Sequence, residues 1–102
     1  MITPKRRAEL RAEAHHLQPT VHVGQHGVTP ALIQSLDDAL RTRELVKVAL
    51  GKQLDATPNE AADALAQAAH ADVVQVIGRK VTLYRENPEL EKKPGEEPPW
   101  RK

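Results

Sequence analysis

The sequence predicts an α/β (α+β) domain in which three helices and four short strands alternate in the order α-β-α-β-α-β-β. Two observations carry this prediction. Three Thr-Pro pairs divide the chain, and threonine at an N-cap followed by proline in the first helical position is a typical helix start. Between the helices lie four runs rich in valine, isoleucine and leucine that are too short to be helices. We expect one mixed four-stranded sheet with the helices packed mainly on one of its faces.

The helix starts are Thr3-Pro4, Thr29-Pro30 and Thr57-Pro58. The first helix should run to about Leu17 because Pro19 stops it, the second to about Thr42 and the third to about His70. Glu60 stands at the capping-box position of the third start. The apolar stripes at helical period are Leu32, Ile33, Leu36, Ala39 and Leu40 on the second helix and Ala62, Leu65, Ala66 and Ala69 on the third.

The predicted strands are 20–23, 45–50, 73–77 and 81–84. Helices join the first three strands, which favours parallel or near-parallel neighbours with right-handed crossovers. Gly78-Arg79 is typical of a tight hairpin connection, so the last two strands should pair antiparallel.

Composition limits the function. A chain of 102 residues supports one small domain, and a large catalytic cavity is not expected. The chain has no cysteine, which excludes disulfides, thiolate catalysis and cysteine-based zinc sites and suits a reducing compartment. It has no apolar stretch of membrane-spanning length and no apolar signal-peptide core. We therefore expect a cytoplasmic protein that does not enter a membrane.

The composition changes at Glu86. Residues 86–102 contain five glutamates, four basic residues and four of the eight prolines, with Leu90 and Trp100 as the main apolar side chains. Such a segment cannot bury enough surface to become ordered. We expect a domain over 1–85 and a flexible, charged, proline-rich tail over 86–102. A solvated terminus without a role is the simpler interpretation of this tail, and a partner contact through Trp100 is the alternative.

The most informative motif is the turn Gly24-Gln25-His26-Gly27, which lies between a predicted strand and a predicted helix. Two glycines without Cβ atoms let the backbone approach a ligand closely, and the next helix points its N-terminal N–H groups and positive dipole end at the same place. Gln25 and His26 donate hydrogen bonds without adding negative charge. The context therefore favours a phosphate-binding turn, although G-x-x-G alone is common.

The first helix is basic. Arg7, Arg11 and His15 form a row at i, i+4 and i+8, and Lys5 and Arg6 share Glu9 as a local partner. Arg7 and Arg11 have no such partner, and phosphates would offset their mutual repulsion. An ordinary solvated face, or arginines paired to another element, explains the row equally well. Together with the turn, the row favours an RNA or DNA backbone as the ligand.

Other chemistries find less support. His15, His16, His22 and His26 cluster early in the chain, but the first two diverge on a helix, and no cysteine completes a tetrahedral metal set. We therefore expect no metal and no cofactor. The only serine, Ser35, has no evident base beside it, so we expect no enzyme. With no phenylalanine, one tyrosine and one tryptophan, the chain lacks a stacking platform.

Four stretches together resemble the CRM (chloroplast RNA splicing and ribosome maturation) family, and most closely its stand-alone bacterial YhbY-like members. They are 11–19, 21–29, 44–48 and 76–85, and the similarity covers residues 2 to about 88. The resemblance implies a fold like the C-terminal domain of translation initiation factor three and association with precursors of the large ribosomal subunit. It also implies RNA binding through Gly24, Gln25, His26 and Gly27, with Lys5, Arg6, Arg7 and Arg11 on the basic helix.

The chain departs from the family pattern at two positions. Members often carry lysine where this chain has Ala49 and His26, so the presumed RNA face has less positive charge here. The expected function is non-enzymatic, monomeric binding of ribosomal RNA during large-subunit assembly. The alternatives are a protein-interaction module that docks on a ribosomal protein, and a small hydrolase. We interpret Asp37, Asp38 and Asp72, the acids a hydrolase would need, as solvated residues.

Overall fold

The computed structural model describes residues 3–86, so most of the expected tail lies outside the described residues. The elements are α1 (Pro4–Ala14), β1 (Val21–Val23), α2 (Pro30–Arg43), β2 (Leu45–Leu50), α3 (Pro58–Ala69), β3 (Asp72–Ile77) and β4 (Lys80–Tyr84). This is the predicted order of helices and strands. Within 3–86 no helix combines the length and apolar character that crossing a bilayer requires.

All three helices begin at the predicted Thr-Pro pairs. Each threonine hydroxyl accepts a hydrogen bond from the main-chain N–H three residues later, at 3.1 to 3.2 Å. At α3 the Glu60 carboxylate also accepts from the Thr57 N–H at 3.0 Å, and this capping box lowers the pKa of Glu60. Helix α1 ends at Ala14, before the predicted end near Leu17. Leu17 instead packs against the core beneath α1.

The sheet has the strand order β1-β2-β4-β3. Strands β1 and β2 are parallel, and β4 pairs antiparallel with both β2 and β3. The expectation that β2 and β3 would be neighbours is therefore wrong, because the hairpin returns β4 into the space between them. The crossover through α3 skips one strand position, and β4 has a hydrogen-bonded strand on both sides. The result is the predicted mixed four-stranded sheet.

The two faces of the sheet are covered unequally. Helices α2 and α3 lie on one face, where the predicted stripes are buried or partly buried against the strands. Helix α1 lies on the other face, over a smaller cluster that consists of Leu10, Leu45, Val74 and Tyr84, with Leu17 packed beside it. Two of the three helices thus share a face, as predicted.

The predicted turn lies at the end of the sheet where β1 and β2 finish, and contacts of Gly51 hold this end together. The Gly51 N–H donates to the Val23 carbonyl at 2.8 Å, and the Leu50 N–H donates to the Arg79 carbonyl at 2.7 Å. The Arg79 guanidinium donates to the Gly51 carbonyl at 3.0 Å. A Cβ at Gly51 would lie 2.9 Å from the Val23 oxygen, which is too close for any other residue without a backbone shift.

Arg85 holds the opposite end of the strands. Its guanidinium donates to the Asp37 carboxylate and to the Ala69 carbonyl, both at 2.8 Å, and so joins the residue after β4 to α2 and to the end of α3. Asp37 is therefore an ion-pair partner and not merely a solvated helix residue. On the exposed side of α2, the Arg41 guanidinium hydrogen-bonds Asp38 and lowers the pKa of that carboxyl.

Arg7 also has a structural partner. Strand β3 is irregular between Val73 and Gln75 in its pairing with β4. Arg7 Nη1 donates to the carbonyl oxygens of Val73 and Val74, the latter at 3.2 Å. Of the interpretations left open for the basic row, pairing to another element is the one that holds for Arg7, and its partner, 66 residues away, is not visible in the helical pattern.

We expect Arg7→Ala to destabilise the protein, because it removes hydrogen bonds from a charged donor to part-buried carbonyls. The expected loss is about 1–3 kcal/mol of unfolding free energy, measured by urea denaturation. Arg11→Ala, one helical turn further along α1, is the matched control and should change stability by less than about 0.5 kcal/mol. Equal unfolding midpoints for the two variants would contradict a structural role for Arg7.

Candidate nucleic-acid interface

The turn between β1 and α2 is a hydrogen-bonded four-residue turn. The Gly27 N–H donates to the Gly24 carbonyl at 3.0 Å, and Gln25 and His26 occupy the two central positions. All three residues from Gly24 to His26 are exposed. The side chains that the sequence pattern assigns to a phosphate therefore face solvent and not the core.

The two glycines of the turn differ in what the backbone requires of them. Gly27 has φ +71°, a left-handed conformation that glycine adopts without the penalty other residues incur. Gly24 has no positive φ, and a Cβ there would have nothing within 4 Å. The fold therefore explains glycine at Gly27 but not at Gly24, where the open space is on the solvent side.

The turn and the first turn of α2 present main-chain donors. Within residues 3–86 the N–H groups of Gln25, His26 and Ala31 make no hydrogen bond, whereas the Leu32 N–H is taken by the Thr29 hydroxyl. Thr29 caps a helix of 14 residues, and its positive dipole end lies beside these donors. This combination is suited to an anion, because free amides and a helix N-terminus both favour negative charge.

An open groove of about 350 Å³ runs beside the turn. It has an apolar floor from Ala31 and Leu32 and polar groups from the histidines, Thr29 and Ser35, and no carboxylate lines it. The lining residues are His22, Gly24, His26, Gly27, Thr29, Ala31, Leu32 and Ser35. Nothing in the groove repels a phosphate.

The predicted basic residues of α1 differ in their surroundings. Arg11 is exposed, and its guanidinium makes no hydrogen bond or ion pair within 3–86. Lys5 and Arg6 also make no ion pair with Glu9 or any other described residue, so the expectation that Glu9 neutralises them is wrong. Arg7, which has no local partner on the helix, hydrogen-bonds to strand β3 instead.

The turn and the basic helix are not adjacent elements. Helix α1 packs against β2 and β3, whereas the turn joins β1 to α2, and α2 lies on the other face of the sheet. A ligand that contacts both must therefore extend around the sheet. A small ligand bound at the turn would not reach Arg11.

His22 and Ser35 both line the groove, although neither is among the site residues expected from the sequence. The signal for His22 was present: Val21 and Val23 are buried while His22 is exposed, and this alternation is the one that β-strand geometry predicts. For Ser35 only the packing of α2 against the sheet shows that its side chain borders the groove. No local pattern would have found it.

Two other classes of site find no support in the described residues. No three histidine or acidic side chains within 3–86 come together in a way that could hold a metal ion. Residues 3–86 contain Tyr84 but no phenylalanine or tryptophan, and Tyr84 is 3% exposed, so its ring cannot stack on a base.

The chain is similar to a known protein family. The CRS1/YhbY (CRM) domain model matches residues 2–85. The chain is 38% identical over 89 residues to Probable RNA-binding protein YqeI of Bacillus subtilis, covering 87% of this chain and 93% of that protein. It is 31% identical over 91 residues to Probable RNA-binding protein PA4753 of Pseudomonas aeruginosa, covering 89% and 88%.

The fold has a counterpart among solved structures. The solution structure of SAV1595 from Staphylococcus aureus superposes with a TM-score of 0.75 at 34% identity, and the match covers 89% of this chain and 95% of that one. The family match spans nearly all of the described residues, including the turn, the basic helix and the whole sheet. This chain belongs to the CRS1/YhbY (CRM) domain family.

Proposed function

We propose that this protein binds structured RNA through the Gly24–Gly27 turn and the cationic residues of α1, without catalysing a reaction. The observation that carries the proposal is the turn itself. It combines free main-chain donors, a helix N-terminus and a groove without carboxylates, in a family whose relatives are named RNA-binding proteins. Phosphates are the ligand that this combination suits.

Recognition in this proposal depends on backbone charge and shape. Residues 3–86 expose no phenylalanine, tyrosine or tryptophan ring, so base stacking on these large rings contributes little. The proposed contacts are Gly24, Gln25, His26 and Gly27 in the turn and Lys5, Arg6 and Arg11 on α1. Arg7 contributes its positive charge, but its guanidinium is held against β3.

The proposed RNA is that of large ribosomal subunit precursors, bound in the cytoplasm by a monomer. The family resemblance supports this assignment. A protein-docking module is less favoured, because the large apolar side chains exposed in 3–86 are Val28 and Ile77. Interfaces between proteins need a larger contiguous apolar core.

The turn is tested by Gln25→Asp/His26→Asp. Two carboxylates facing phosphates should weaken binding to a folded ribosomal RNA fragment at least tenfold, because charges of like sign repel across this short distance. The melting temperature should change little, since both side chains are exposed. Binding is measured by fluorescence anisotropy.

The matched control is Gln67→Asp/His70→Asp, which makes the same two substitutions at exposed positions near the end of α3. It should bind RNA as the wild type does, apart from the small effect of net charge. A similar loss of affinity in both double variants would mean that the turn has no special role.

The basic helix is tested by Arg11→Gln. The slope of log affinity against log salt should become shallower by about 0.7 to 0.9 per lost phosphate contact, with a similar loss for unrelated RNA sequences. Arg43→Gln, an exposed arginine at the end of α2, removes the same charge away from the proposed surface. An unchanged slope for Arg11→Gln would remove Arg11 from the site.

The ribosomal assignment is tested by sedimentation. In a low-salt sucrose gradient of cell extract the protein should migrate with large-subunit precursors and be depleted from polysomes, and raising the salt should release it. Deletion of 86–102 should leave this migration intact. Recovery only at the top of a low-salt gradient, from cells that are making ribosomes, would count against a ribosomal RNA target.

A further inference from the structure

Helix α1 leaves half of its sheet face uncovered. It lies over Leu45 and Tyr84, which are paired across β2 and β4. The next row of cross-strand neighbours on this face contains Lys47, Thr82 and Gln75, and the row after that contains His22, Ala49, Lys80 and Ile77. These two rows lie between the end of α1 and the end of the sheet at which the Gly24–Gly27 turn begins.

This uncovered part of the sheet contains a cavity of about 220 Å³ that the proposed RNA contacts do not use. Side chains from three strands and from the turn after α1 surround it. The lining residues are His15, Lys47, Gln75, Ile77, Lys80 and Thr82. No carboxylate is among them.

Thr82 is the most informative lining residue. It is 1% exposed, yet its hydroxyl has no hydrogen-bond partner among residues 3–86. The hydroxyl oxygen itself is not fully enclosed by protein, so its donor and acceptor capacity is available to an occupant of the cavity. Lys47 and Gln75, its cross-strand neighbours, place an ammonium group and an amide beside it.

The chemistry of the cavity matches a nucleotide. The Thr82 hydroxyl and the Gln75 amide each offer a donor and an acceptor, as the edge of a base requires. Lys47 and Lys80 supply two positive charges for a phosphate. Ile77, which is 57% exposed, supplies an apolar surface for the face of a base.

The position of the cavity connects it to the proposed RNA surface. On one side His15 continues the row that begins with Arg7 and Arg11 on α1. On the other side His22, which lines the groove of the turn, is the neighbour of Ala49 in the row that contains Lys80. An RNA that reaches from α1 to the turn therefore crosses this part of the sheet.

We propose that the cavity binds one unpaired nucleotide of the RNA held by the turn and α1. This inference rests on the proposed function and adds a preference to it: the protein selects RNA in which a bulge or internal loop frees a nucleotide from the helix. Phosphate contacts at the turn and α1 position the RNA, and the cavity reads whether a base is available.

The test uses two blunt-ended RNA duplexes with equal numbers of phosphates, one of which contains a single bulged nucleotide. Wild-type protein should bind the bulged duplex about tenfold more tightly. Thr82→Val, which keeps the shape and removes the hydroxyl, and Gln75→Leu should each reduce this preference severalfold, and the double variant should lose it. One hydrogen bond to a base is expected to change affinity by this amount.

The controls separate local from general effects. Thr42→Val makes the same change on the exposed end of α2 and should keep the full preference. Lys47→Gln should weaken binding to the bulged duplex more than to the paired one, whereas Arg43→Gln should weaken both equally. Thermal melts of each variant show that it is folded.

The outcomes distinguish the two proposals. Equal affinity of wild type for both duplexes, with tight binding to each, would overturn the cavity inference and leave RNA binding intact. Binding to neither duplex nor to the ribosomal RNA fragment would overturn the proposed function itself. Saturable binding of a 5′-mononucleotide or a glutamate-rich peptide, lost in Thr82→Val while both duplexes bind equally, would overturn the RNA nucleotide in favour of that ligand.

Discussion

The close approach of Gly51 to Val23 is the constraint on which the candidate site depends. The Gly51 N–H bonds the Val23 carbonyl, and no Cβ fits between the two. The Arg79 guanidinium also donates to the Gly51 carbonyl. These contacts join the ends of β1 and β2 and the β3–β4 hairpin at one end of the sheet. The Gly24–Gly27 turn begins at this end of the sheet. The position of the turn therefore follows from backbone contacts and not from its own side chains.

The second constraint is the short reach of α1. The helix ends at Ala14 and buries Leu10 and Ala14, which covers only the part of the sheet near Leu45 and Tyr84. The rest of that face carries Lys47, Gln75, Lys80 and Thr82 together with the apolar Ala49 and Ile77, and α1 does not extend over them. A longer helix would have required apolar residues in place of Lys47 and Thr82. The uncovered rows of the sheet are thus a consequence of where the helix stops.

Local sequence patterns were enough to predict the helices and strands. They could not predict which distant strands and side chains contact each other. Thr-Pro caps and apolar stripes act within one turn of helix, so the starts at Pro4, Pro30 and Pro58 were visible in the sequence. The insertion of β4 between β2 and β3 depends on which edges the strands share. The same limit applies to Arg7, whose charge pattern indicated a surface role although its partners lie on β3. The turn was visible in the sequence because its two glycines and the Thr-Pro helix start that follows them are local features.

The glycines separate what the fold needs from what a ligand would need. Gly27 is required by its φ of +71°, and Gly51 is required because a Cβ there would lie 2.9 Å from the Val23 carbonyl oxygen. Gly24 has neither reason, since a side chain there would extend into open solvent. Glycine at Gly24, next to free amides and a groove without carboxylates, would suit the RNA-binding turn proposed above, because the missing Cβ lets a phosphate approach the main chain.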